Sequence, residues 1–454
     1  MSLSTTSTLE NTFKNTTLKT KNSKPSCNFI NSKNGTEISR TLIRQALHGR
    51  IEFINHSICE AGDEDSFFVA DLGEIYRQHI RWKKNLPRVR PFYAVKCNAD
   101  PYAIKLLARL GTGFDCASKA EIEQILNINV DPTRIIYAQP CKTSSYIHYA
   151  ASRGVKKMTF DNADELYKIK KLFPDAELFI RISTDDSSSL CRLSLKFGAA
   201  MESTERLLDL AKELDLCITG ISFHIGSGAS DPLAFRKAVQ DASTVLNQAT
   251  ARDFPIRILD IGGGFTSENF ELMAASLNEA LEEYIPSYIN VIGEPGRFYV
   301  SSAFTLASHV IARRTVDDLE MDKKSYMLYL NDGLYGNFSC ILFDHQNPKA
   351  KVLRTGNITY FDDKAAEQSL DGIVYSIWGP TCDGIDRITE SACFDHIIDI
   401  GDWLYFENMG AYTNCSATRF NGFPNSHDII YVVSEPKARA LLGIDSTNDY
   451  SLMM

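Results

Sequence analysis

Between Pro91 and Val300 the chain repeats one grammar eight times: a short apolar or β-branched run ends in Gly, Asn, Asp or Ser, and an amphipathic helical stretch follows. The runs are Phe92–Lys96, Gly113–Cys116, Ile135–Ala138, Lys157–Phe160, Glu177–Ile182, Ile218–His224, Ile256–Ile261 and Ile289–Gly293. Ala103–Leu110, Lys119–Leu126 and Ala234–Gln248 are examples of the intervening helices. Alternating strand and helix implies a parallel sheet, because only a crossover returns the chain to pair in parallel. Eight units is the count of a closed (β/α)8 barrel. An open doubly wound sheet is the competing reading.

The texture changes after Val300. Phe304–Val316, Met327–Asn331, Lys351–Arg354, Val374–Trp378, Trp403–Phe406 and Ile429–Val433 read as strands separated by turns. Ile51–His56 and Ser66–Asp71 read likewise ahead of the barrel. The expected architecture is therefore α/β, a TIM-type barrel with a second all-β domain assembled from both chain ends. Residues 1–40 are expected to be a disordered tail, being rich in Ser, Thr, Asn and Lys without a hydrophobic period. Residues 41–71 are assigned to the β domain, 72–303 to the barrel, and 304–454 to the C-terminal β domain.

Net charge is −9 with no long basic run, which disfavours a nucleic-acid groove. No apolar stretch reaches the length of a membrane span, and the first residues lack a secretory apolar region. Eleven cysteines are scattered without a CxxC pair, which argues against a disulfide framework or a zinc cluster, so no metal is expected. A cytoplasmic protein is the reading.

A barrel places its chemistry at the C-terminal ends of its strands, commonly with a phosphate site after strands 7 and 8. Those ends carry Lys96, Asp115, Arg181, His224, the run Gly262, Gly263 and Gly264, and the run Glu294, Pro295, Gly296 and Arg297. Glycines between a strand and a helix let backbone N–H groups approach a phosphate, and Arg297 adds a cation. A desolvated lysine has a depressed pKa and forms Schiff bases; a snorkelling surface lysine is the bland alternative. A buried carboxylate at Glu294 needs a cation or a donor. His224 is equally compatible with a core histidine. Together, a lysine, a carboxylate, a flat histidine and a phosphate cradle suggest pyridoxal 5′-phosphate. An aldolase acting on a phosphorylated substrate would use the lysine and glycines but not the carboxylate.

The segments PFYAVKCN, FDCAS, SFHIGSG, Gly262–Gly264, EPGR, YGNFSCILFDH, WGPTCDGID and MGAYT resemble, in this order, the eukaryotic ornithine decarboxylases. These are alanine-racemase-like pyridoxal-phosphate enzymes, and the resemblance runs from about Arg50 to Tyr431. It implies that Lys96 holds the cofactor covalently, that Glu294 pairs with the pyridine nitrogen and that His224 stacks on the ring. Ser227, Gly264, Arg297 and Tyr412 would bind the phosphate, with Asp115, Glu121 and Arg181 supporting the pocket. It further implies a homodimer with shared active sites. Cys382 and Asp383 would reach the partner's site, Asp344 and Asp383 would hold the substrate's distal ammonium, and Tyr335, Phe343 and Phe420 would border it. Lys196 and Asp386 would pair across the interface. The implied reaction is decarboxylation of L-ornithine to putrescine, feeding polyamine synthesis, with an antizyme as a possible partner. A paralogue for another cationic amino acid, and a catalytically inactive antizyme-inhibitor-like regulator, are the alternatives. Retention of Lys96, Arg181, Cys382 and Asp383 weighs against the second.

Overall fold

A computed structural model describes residues 32–318, 323–362, 364–425, 427–444 and 451–453. Eight parallel strands close into a barrel: Val89–Ala94, Gly113–Cys116, Ile135–Tyr137, Lys157–Phe160, Glu177–Arg181, Cys217–Ser222, Ile258–Asp260 and Asn290–Gly293. The last strand pairs with the first, Val291 opposite Val89, so the open-sheet alternative is excluded. Each run of β-branched and aromatic residues supplies a strand, and the amphipathic stretches pack outside. Inside, Phe92, Ile136, Phe179 and Ile292 fill the barrel beneath its mouth. Gly113 makes room for Phe92, since a Cβ there would lie 2.5 Å from the ring. Each fully buried side chain of this size contributes roughly 1.5–3 kcal/mol, so the floor of the site is rigid rather than a pore.

The β domain is one curled sheet. Phe67–Asp71 lies between Phe304–Asp318, antiparallel, and Ile429–Val432, parallel, so both chain ends build it. Phe304–Asp318 is shared: its first half pairs with Trp403–Phe406 and its second with Lys323–Leu330. A register shift between Val310 and Ala312 marks the change of partner, as bulges do where a strand bends. Ile373–Trp378 and Arg387–Phe394 extend this second half.

Two expectations are corrected and one strand was not expected. Residues 32–40 are not a structureless tail, and Ile51–His56 is not a strand, because a helix runs Ser32–Glu52. Leu42, Ile43, Ala46, Leu47 and Ile51 recur at helical spacing and bury against Phe67, Val69, Ala307, Trp403 and Tyr405. The apolar pair in Ile51–His56 suggested a strand, yet Phe53 is 85% exposed at the helix end. The rest of the expected tail, 1–31, lies outside the described residues. The strand Arg387–Phe394 went unread because RITESACF lacks clean alternation. Among the described residues, no helix is long and apolar enough to cross a membrane.

Candidate active site

The first barrel strand ends at Ala94, and one tight turn, Val95–Cys97, lifts Lys96 out of the strand and over the mouth. Ala94 is in register with Asp115 on the next strand, which brings Lys96 Nζ within 2.5 Å of Asp115 Oδ2. Asp115 is fully buried, while 42% of the Lys96 side chain remains open, lining the cavity. The expected depressed amine is not found. Burial pulls it down, but Asp115 and then Glu294 outweigh burial and hold it above the ordinary lysine value. The bare site therefore keeps Lys96 as a cation.

Glu294 ends the eighth strand at 7% exposure, and its Oε1 has no hydrogen-bond partner. Burial raises its carboxyl well above the usual range, and the charges of Asp115 and Asp260 add to this. Asp260, at the end of the seventh strand, was missed in the sequence. It accepts from Gly262 N at 3.0 Å and Ser222 Oγ at 3.1 Å. An aspartate ending an apolar strand was the available signal, identical in kind to Asp115. Three carboxyls, Asp115, Asp260 and Glu294, crowd one another at the barrel mouth, so a proton is easily retained there.

The glycine run is a close-packed cradle. Gly262 and Gly264 have φ of +63° and +107°, and a Cβ on Gly263 would lie 2.8 Å from Glu294 O and 3.0 Å from His224 Nε2. Only glycine fits. The run does not open a helix directly, as the sequence suggested, because the next helix is Phe270–Tyr284. Across the cradle, Arg297 Nη2 donates to Ser227 Oγ at 3.0 Å and to Asp344 Oδ1 at 2.6 Å. Its Nε is buried without a partner, and its guanidinium lies 5.1 Å over the Tyr412 ring. Pro295 O accepts from Ala94 N at 3.2 Å, and a Cβ on Gly296 would lie 2.8 Å from Cys97 Cβ, so EPGR is locked to the first strand.

His224 Nδ1 accepts from Gly226 N at 3.0 Å, which places its proton on Nε2. Burial, then Arg181 and Lys96, push its pKa well below the ordinary histidine value, so the ring is neutral. Arg181 stacks at 5.3 Å over Phe197. Glu121 sits at the start of the helix Lys119–Asn127 and reaches back to Ala117 N, 2.5 Å away, in the manner of a capping box.

The remaining expected residues do not join this cavity. Asp344, 4% exposed, is engaged by Arg297, Gln346 and, at 3.5 Å, the Cys191 thiol. Phe343 beside it is 66% exposed. Tyr335 donates to Asp383 and holds that carboxyl below its usual value, and its ring stacks on Phe420 at 4.4 Å. Cys382 is exposed, its N–H donating to Asn421 Oδ1 at 3.1 Å. Tyr335 and Phe420 line a different cleft from Lys96. Asp386 offers no free carboxylate to Lys196: it is 1% exposed and accepts from Leu334 N, Thr381 N and Thr381 Oγ1.

Pyridoxal phosphate fits this cavity. Lys96 supplies the amine, the unpartnered Glu294 Oε1 can meet a ring nitrogen, and the glycine cradle with Ser227 and the unpartnered Arg297 Nε can meet a phosphate. Barrel and cradle define the class, and the comparisons agree: residues 72–301 match the family described as pyridoxal-dependent decarboxylase, pyridoxal binding domain. Ornithine decarboxylase of Neurospora crassa is 61% identical over 433 residues, 90% of either chain. That of Schizosaccharomyces pombe is 52% identical over 87% of this chain and 90% of its own. Among solved structures, the arginine decarboxylase of Paramecium bursaria Chlorella virus superposes with a TM-score of 0.75 at 34% identity, covering 81% of this chain and 97% of its own. The chain belongs to the ornithine decarboxylase family.

Proposed function

We propose that this chain decarboxylates L-ornithine to putrescine and carbon dioxide, as a cytoplasmic homodimer whose partner supplies Cys382 and Asp383. The observation that carries the reading is Lys96 paired with Asp115 beside a buried Glu294 whose Oε1 has no partner. Pyridoxal phosphate, when bound, supplies a conjugated sink for the electron pair left at Cα as carbon dioxide departs.

The chain's own residues do the rest. Lys96, held protonated by Asp115, can exchange protons with an incoming α-amine at Nζ. Glu294 favours its proton and can share it at Oε1 with a basic nitrogen. His224 offers a neutral, flat face that does not compete for that charge. Ser227, Arg297 and the glycines hold the phosphate end, so the reacting end is oriented at Lys96. Asp383, kept ionised by Tyr335, gives a cationic side chain a preference over a neutral one, and Asp344 would join it on exchanging its Arg297 partner for the substrate's ammonium. The Cys382 thiol would return a proton to Cα, completing putrescine.

The partner contribution is supported by the separation of the two clefts. Cys382 is exposed, and Asp383 is held by Tyr335 of the cleft that does not contain Lys96, as suits residues serving another subunit. Cytoplasmic residence is consistent with ten free cysteines among the described residues. Product analysis with L-ornithine, L-lysine and L-arginine tests the assignment. Ornithine should give putrescine in amounts equal to the carbon dioxide released, with the highest kcat/KM of the three. Preferred conversion of lysine or arginine, or no conversion, would refute it.

A further inference from the structure

A second cluster of ligand-type side chains lies in the β domain. Asn55 O accepts from Ile58 N and Cys59 N at 3.0 and 2.9 Å, closing a turn that sets His56 and Cys59 near each other. Asn331 Nδ2 donates to Glu64 O at 2.7 Å, and Asn331 Oδ1 accepts from His309 N at 2.9 Å. One asparagine thus fixes Glu64 against the strand that carries His309. Around Glu64 Oε2 stand His56 Nδ1 at 2.7 Å, Cys59 Sγ at 3.7 Å and His309 Nδ1 at 3.9 Å. The two imidazoles stack with centroids 4.3 Å apart and planes 6° from parallel.

His309 is the telling residue. It is 4% exposed, yet neither ring nitrogen has a hydrogen-bond partner. Buried polar atoms are ordinarily satisfied, and an exception calls for a missing partner.

We propose that His56, Glu64 and His309, whose donor atoms lie within 4.8 Å of one another, bind one zinc-class divalent ion with water in the fourth position. Tetrahedral bonds of ~2.0–2.1 Å separate donor atoms by about 3.3 Å. His56 must therefore back away from Glu64 and swing out of its stack on His309, because one ion cannot lie in the planes of two parallel rings. His56 shifts its proton from Nδ1 to Nε2, and Arg354, 3.4 Å from that nitrogen, retains its bond to Ile51 O at 2.7 Å. The Glu64 carboxylate meets one of the ion's two charges. The ion clips 53–65 onto the sheet, and because Glu64 also lines the cleft of Tyr335 and Phe420, it steadies that wall.

The test uses the cofactor-loaded full chain, stripped of metal with a chelator and dialysed against zinc chloride. Wild type should bind one zinc ion per chain, and limited proteolysis within 53–65 should slow as the site fills. His56→Ala, an exposed position, and Glu64→Gln should each weaken binding at least tenfold, since even groups that merely orient ligands are worth ~10–100-fold. His56→Ala should also abolish the proteolytic protection. No stoichiometric binding by wild type, or unchanged affinity and protection in His56→Ala, would overturn the proposal.

Discussion

Replacing Glu294 by Gln keeps the shape of the side chain and removes its charge. Glu294 is 7% exposed, and Oε1 has no partner among the described residues. In the proposed holoenzyme it would meet a ring nitrogen away from water. Breaking one side of a desolvated pair costs ~3–5 kcal/mol, which is a loss of roughly 200- to 5,000-fold in kcat/KM for ornithine. The same change should help the cofactor-free protein. Folded Glu294 holds its proton more tightly than the ordinary value of 4.5, because it is buried near Asp115 and Asp260. Above that pH the native state binds more protons than the unfolded state, so this group's contribution to stability falls as pH rises. The Gln variant lacks that slope. Its Tm relative to wild type, both without cofactor, should therefore climb from pH 4.5 towards neutrality. Steady-state kinetics and calorimetry at several pH values read the two effects. A kcat/KM within tenfold of wild type, or a relative Tm that falls with pH, would refute the reasoning.

Two further outcomes are expected. Gly263→Ala sets a Cβ 2.8 Å from Glu294 O; overpacking of this kind costs ~1–3 kcal/mol, and cofactor affinity measured by titration should fall about 5- to 150-fold. Lys96→Ala and Cys382→Ala chains, each nearly inactive, should recover about a quarter of wild-type activity when mixed and exchanged, since half the two-fold dimers then carry one intact site. No recovery after confirmed exchange would place both residues in one chain's site.

The barrel was legible because its strands are short apolar runs at regular spacing, and the ends of those runs are where Lys96, Asp115, Glu294 and Arg297 stand. Proximity was not legible. Nothing local shows that Asp344 lies against Arg297, that Asp260 crowds Glu294, or that Asp386 is consumed by the loop Thr381 belongs to. These depend on closure of the barrel and on contacts with the β domain. The charge state of Lys96 was misjudged for the same reason: burial alone lowers a lysine, and only the folded arrangement supplies the two carboxylates that reverse it. The helix Ser32–Glu52 was hidden because polar composition masked a stripe that acquires meaning only against Trp403 and Tyr405.

The central claim is that the amine at the barrel mouth holds the cofactor. Another lysine, Lys142, is 3% exposed, is lowered by burial below the ordinary value and lies 2.9 Å from Glu165. By the simplest rule, that low amine would be the reactive one. Borohydride reduction of the holoenzyme followed by peptide mapping separates the two directly. The expected result is one cofactor mass on the peptide containing Lys96 and none on that containing Lys142; label at Lys142, or on no lysine, would contradict it.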